Sequence, residues 1–412
     1  MLYRPENVLL LGVATYLAIF LLSPLEVLVD IEAGSFVYIG LTAMALVLGS
    51  RCADSFRLMR AEIRMPAPKL ERMENRLFWL MFCLGATGSA LKIVDKIIWR
   101  GVGNLTGLEA RNALIDVAPS VFSAIGGVLY PFGYLPLFIL LGSKLLKGKR
   151  WHFVLAALLY LAPIADALII HSRSFMLVGL AMLFFGSSIT LFRGRVLPPQ
   201  MVLPVFAGVA IVVSLSMLFF LWRLEEMSFE LSDSVLYSAF AHTIVPNTWA
   251  LAFINEGGPI VGLLPIAQYY LHSILEFQIL WGMGETQVFS GGALHFSPYI
   301  KALGLLGLAS EPNYSELFPR VGVFTSFWGP LWVDFGWMGP VVMFLFGFVA
   351  RKVARKARSG NLQAYPLYTY LCVILFFMPV INFAIYAQGM YVINAFILFW
   401  FIGSKIGRAV PV

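Results

Sequence analysis

Charge and cysteine are what this sequence has least of. Only 12% of its 412 residues are charged, too few to clothe a water-soluble protein of this length. Its three cysteines, Cys52, Cys83 and Cys372, share no ligand-like spacing, which argues against a disulfide framework and a zinc site. A D-x-D metal motif is also missing, so the sequence offers no metal ligands and no cofactor fingerprint.

Apolar residues fill the space. They make up 60% of the chain, and the mean hydropathy is +0.84. Runs such as Val8–Leu22, Phe36–Leu48, Trp151–Ile170 and Met201–Leu221 are each near the length of a spanning helix. Membrane strands would alternate in polarity instead. The pattern predicts an all-α polytopic membrane bundle that crosses the bilayer about ten to twelve times. The first run has one early Arg4 and no small-residue cleavage site after it, so it reads as a retained helix.

Lysines and arginines cluster at 51–76, 144–150, 193–195 and 351–358, with Lys405 and Arg408 near the end. These segments fall at every second predicted crossing, which puts them and both termini in the cytoplasm by the positive-inside rule. Such a belt implies contact with anionic membrane lipid, not nucleic acid. Three parts result: N-terminal spanning helices over 1–222, one large external loop over 223–324, and C-terminal spanning helices over 325–412. Within the loop, Val235–Ile254 and Ile260–Trp281 are apolar enough to span or to lie in the interface.

The basic residues left outside the cytoplasmic clusters are Lys92, Lys96, Arg100, Arg111, Arg173, Arg223, Lys301 and Arg320. A set rich in arginine suits a bound anion, because the guanidinium fork matches phosphate oxygens in pairs. Lys92, Lys96 and Arg100 recur every fourth residue and predict one stripe at the outer end of the third helix, where lysines also snorkel to headgroups.

Three segments concentrate chemistry. His171, Ser172 and Arg173 make a short polar turn between two apolar helices, with Asp166 one helical turn earlier. In Arg320–Gly339, Asp334 reads as a carboxylate more than two turns into an apolar helix, either a structural pair or part of a site. Gln268, His272 and Glu276 share one face of a helix in the large loop, and that face reads either as its wet side or as part of a site.

The order of features resembles the oligosaccharide repeat-unit polymerases of bacterial surface polysaccharides, the Wzy-type O-antigen polymerases. The Ser172-Arg173 turn is similar to that family and to the related O-antigen ligases. So is the late block from Val323–Thr325 through Asp334–Gly336 to Gly339. The ligases are also similar in a loop histidine followed by glycines, here His272 with Gly282 and Gly284. The resemblance implies a GT-C-like bundle in the bacterial inner membrane. It also implies transfer of a glycan from undecaprenyl diphosphate to a hydroxyl of an acceptor repeat unit at the periplasmic face, with a Wzz-type chain-length regulator as partner. Positive charge must then meet the leaving diphosphate, and a base must meet the acceptor. The expected diphosphate ligands are Arg111, Arg173, Arg320 and Arg223, with Arg100 and Lys96 beside them. The expected base is His171, followed by Asp334, His272 and Asp30. A ligase acting on lipid A-core, or a transporter of lipid-linked oligosaccharide, stays open as an alternative.

Overall fold

The computed structural model describes residues 2–56, 66–102, 120–143, 150–169, 173–191, 231–255, 263–310, 312–320, 322–386 and 388–406, with isolated positions between them. Arg111, Arg223, His171 and Ser172 lie outside these residues, and so do the side chains of Asp166 and Arg173.

The described chain is a helical bundle with one two-stranded ribbon. It opens with α1 (Pro5–Leu22), β1 (Leu25–Val27), α2 (Ala33–Ser55) and α3 (Ala67–Val94). Then come α4 (Val121–Leu129), α5 (Leu135–Gly142), α6 (Arg150–Ile169) and α7 (Arg173–Thr190). The predicted loop holds α8 (Leu231–Leu236), β2 (Ile244–Pro246), α9 (Thr248–Asn255), α10 (Leu264–Trp281), α11 (Ser297–Leu305) and α12 (Tyr314–Leu317). The chain closes with α13 (Trp328–Phe335), α14 (Gly339–Arg358), α15 (Ala364–Phe377) and α16 (Gly389–Ile406). Among the described residues, five helical stretches are long and apolar enough to cross a membrane: Pro5–Leu22, Ala33–Ser55, Ala67–Trp99, Val121–Gly142 and Trp328–Arg358.

Helices α2 and α14 run side by side in the same direction, from Tyr38 against Gly339 to Asp54 against Arg351. Glycine makes that approach feasible. A Cβ at Gly49 would collide with the Phe344 carbonyl oxygen, and one at Gly347 with the Leu46 carbonyl oxygen. Gly12 of α1 meets the backbone of α15 at Phe376 in the same way.

Basic helix ends gather at one end of this bundle. Arg351 forms a two-pronged bond to Asp54, at 2.8 and 3.1 Å, and a third to the Tyr3 carbonyl oxygen at 2.5 Å. Arg355 donates to the Ala53 carbonyl oxygen, and the Tyr3 hydroxyl donates to that of Ile189 at the close of α7. The turns after α1 and before α2 lie at the other end, where β1 pairs antiparallel with β2 and α10 packs beneath.

Helix α10 is tied down from several sides. The Tyr16 hydroxyl donates to the Leu271 carbonyl oxygen at 2.7 Å, and the Ser35 hydroxyl and the Glu32 N–H donate to Gln278 Oε1. The Gln268 amide donates to the carbonyl oxygens of Val235 and Ile244, both at 3.0 Å. The wet face expected for Gln268, His272 and Glu276 is therefore corrected. These side chains are 0%, 0% and 1% exposed, because the ribbon and short helices of the loop fold over that face. Its polar residues serve as anchors for the cover.

Gly49→Ala is expected to lower the melting temperature of the detergent-solubilised protein, at a cost of about 1–3 kcal/mol from overpacking. Gly40→Ala, on the open face of the same helix with nothing within 4 Å of the new methyl, leaves melting unchanged or slightly raised. Paired thermal melts check both, and equal effects would remove the close-packing argument.

Candidate functional site

Two polar clusters sit in the layer opposite the basic helix ends. The first centres on Asp334. The sequence reading set this residue deep in a long apolar helix. It instead occupies the last turn of α13, which stops at Gly336, where φ is +49° and a side chain would be strained. A three-residue turn, Gly336–Met338, then restarts the helix as α14.

This position aims the carboxylate at the loop of residues 290–296. Asp334 Oδ1 accepts from the Ser290 hydroxyl and from the Leu294 N–H at 3.1 Å. Oδ2 accepts from the His295 N–H at 2.8 Å and from His295 Nδ1 at 2.6 Å. Four donors thus saturate a buried carboxylate, which leaves it no lone pair for a substrate.

The imidazole of His295 is the exposed end of this arrangement, with 12% of its side chain open to solvent. Its tautomer follows from the network. The Ala384 N–H donates to Asn382 Oδ1 at 3.0 Å, which turns the Asn382 amide nitrogen toward His295 Nε2 at 3.1 Å. That nitrogen donates, so Nε2 carries the lone pair and Nδ1 carries the proton given to Asp334. The result is an oriented base, built by residues far apart in the chain. Sequence reasoning missed His295. Its short Gly-Gly-Ala-Leu-His loop has no helical period, and only the fold brings Asp334 to it.

The second cluster centres on Arg320. Its Nη1 donates to Glu276 Oε1 at 2.5 Å and its Nη2 to the Ala239 carbonyl oxygen. The Arg320 side chain keeps 24% of its surface exposed while the Glu276 side chain keeps 1%. So short a contact by itself holds a carboxyl low. Burial pushes Glu276 the other way, up to about 7, because it strips water from the whole carboxylate while Arg320 remains partly hydrated. One turn earlier, His272 Nδ1 donates to the Gln268 carbonyl oxygen at 3.1 Å. Its Nε2 is buried without a partner among the described residues, against the rings of Phe240 and Phe324. Burial lowers His272 to about 4, so it is uncharged at neutral pH.

One segment joins the clusters. From Arg320 the chain reaches Ser326, which adopts a left-handed conformation with φ of +58° and pairs with Ile381. Phe327 follows, 6.2 Å from the His295 ring and bonded through its N–H to the Met378 carbonyl oxygen. Backbone strain of this kind needs surroundings that enforce it.

The remaining candidates lie apart or are already engaged. Asp30 is exposed between β1 and α2. The expected stripe of Lys92, Lys96 and Arg100 does not form, because a π-turn at Asp95–Trp99 shifts the helical phase before Arg100. Arg100 is spent internally, on Asp95 at 3.0 Å and on the Leu114 carbonyl oxygen at 2.8 Å. Lys92 lies over the Tyr130 ring at 4.2 Å, and Lys96 is half-buried. No group of side chains among the described residues is arranged to hold a metal ion.

Comparison with family models, curated proteins and solved structures finds no match to this chain.

The two titrating groups of the Arg320 cluster act on stability in opposite directions. The fold favours protonated Glu276, so its contribution is full below 4.5 and is lost as the pH rises through about 7. The fold favours uncharged His272, so its contribution is full above 6.5 and is lost as the pH falls through about 4. Between pH 4.5 and 6.5, Glu276→Gln is expected to make the melting temperature climb more steeply with pH than in the wild type. His272→Asn tilts the curve the other way. Parallel slopes in all three proteins would show that neither group titrates in this range.

Proposed function

We propose that this chain is a membrane glycosyltransferase that polymerises lipid-linked oligosaccharide repeat units. The His295 imidazole, whose lone pair is directed by Asp334 and Asn382 at the end of the bundle away from the basic helix ends, carries the reading. Helices crossing the bilayer hold the site at the membrane surface, where a polyprenyl diphosphate presents its glycan. The Wzy-type resemblance supplies the substrate class: a glycan on undecaprenyl diphosphate as donor and a second lipid-linked unit as acceptor.

In this reading the acceptor hydroxyl displaces the Asn382 amide from Nε2 and passes its proton to that nitrogen. The acceptor oxygen forms a bond to the anomeric carbon as the bond from that carbon to the diphosphate oxygen breaks. The diphosphate leaves with the electron pair. Asp334 then faces an imidazolium and stabilises it, so it is a positioning residue. Arg320 offers the N–H groups not taken by Glu276 and Ala239 to the leaving diphosphate, where a fixed charge is worth most. A diphosphate is already a good leaving group, so charge and a base suffice.

The test is complementation of a polymerase-null strain that makes a compatible repeat unit, with protein levels checked in parallel. Wild type is expected to restore a polysaccharide ladder. His295→Ala is expected to collapse it to single repeats, with transfer slowed about a hundredfold or more. Asp334→Asn is expected to behave likewise, because the proton on Nδ1 loses its acceptor. A full ladder from well-expressed His295→Ala removes it as the base. If wild type gives single repeats yet restores capped lipopolysaccharide in a ligase-null strain, the acceptor is lipid A-core and the polymerase reading fails.

A further inference from the structure

At the basic end of the bundle, remote from the site above, a cavity of about 290 Å³ is lined by Tyr3, Arg4, Asn7 and Arg358. Arg4 precedes the first turn of α1 and Arg358 is the last residue of α14, so the cavity lies level with the ends of two candidate membrane spans. We infer that it binds the phosphodiester of an anionic phospholipid headgroup.

The residues that line it carry charge of one sign only. Neither Arg4 nor Arg358 has a carboxylate within salt-bridge distance among the described residues. The nearby acids are occupied elsewhere: Asp54 is bonded twice by Arg351, and Glu6 is turned into α2, where the Ser50 hydroxyl donates to it at 2.7 Å. The carbon stems of Arg4 and Arg358 line the cavity, and the guanidinium that each carries matches the non-bridging oxygens of a phosphate through paired N–H groups. The floor is rigid as well. Tyr3 is fixed by its hydroxyl to Ile189 and by its carbonyl to Arg351, and the Arg358 guanidinium lies over its ring at 5.9 Å.

The apolar surface leading from the cavity distinguishes a lipid from a free anion. Starting at Asn7, the face of α1 that continues as Leu10, Ala14, Leu17 and Leu21 is exposed, with Leu10 at 63% and Leu21 at 80%. The spacing of three and four residues makes it one stripe, running from the two arginines toward the middle of the span. A headgroup phosphate in the cavity sets its acyl chains along that stripe. Inorganic phosphate gains nothing from it.

The full-length protein, purified in a neutral detergent, is titrated with phosphatidylglycerol while its melting temperature is followed. Phosphatidylcholine and inorganic phosphate serve as separate probes. Phosphatidylglycerol is expected to raise the melting temperature, and the concentration needed is expected to rise about tenfold or more in Arg4→Gln with Arg358→Gln. Lys352→Gln, which removes a cation of the same helix outside the cavity, is expected to leave that concentration unchanged. Native mass spectrometry is expected to show one fewer retained phosphatidylglycerol in the double variant, a readout independent of melting. An unchanged titration and lipid count in the double variant would overturn the inference. So would an equal shift with inorganic phosphate, which assigns a free anion, or with phosphatidylcholine, which removes the preference for anionic lipid.

Discussion

The backbone-to-backbone contact of α2 with α14 is the constraint on which the rest depends. Between two spanning helices, lipid tails are as apolar as leucine, so association has to come from close packing. Gly49 and Gly347 let carbonyl oxygens of the neighbouring helix occupy the space a side chain would fill. That contact carries its geometry to both ends. At one end it brings Asp54 to Arg351. At the other it brings the Tyr38 hydroxyl to the Gly336 carbonyl oxygen, at the break between α13 and α14.

The break then positions the chemistry. Tyr38 packs among Trp281, Trp332 and Trp337, which joins the end of α10 to α13. With α13 held there, Asp334 has one direction open to it, toward the loop of residues 290–296, and it gathers four donors from that loop. The carboxylate that the sequence left as either a structural pair or part of a site is a clasp that fixes the His295 imidazole. Arg320, which looked like a free anion ligand, first hydrogen-bonds the buried Glu276 and has only its remaining N–H groups to offer. In both clusters the charged residue is partly consumed by the fold, and the group left facing outward is its neighbour or its far edge.

Membrane character was legible in the sequence, because it depends on composition over a window longer than any local irregularity. Asp54 and Arg351, from the segments that begin at 51 and 351, meet at one end of the bundle. The Lys92–Arg100 stripe was not legible, since one π-turn resets the phase of a helix and leaves no mark in residue spacing. The Gln268–Glu276 face misled for a related reason. Polar residues at helical spacing look the same whether they meet water or tie down a cover of other chain.

By itself, then, the sequence determined an apolar, helix-forming chain, because hydropathy acts residue by residue. The tertiary structure decided which histidine has a carboxylate behind it. His295 and Asp334 are separated by 39 positions and meet only because α13 stops at Gly336 and is packed against α2. A hydrogen bond at 2.6 Å is a fact of three-dimensional distance, and no pattern along one chain encodes it.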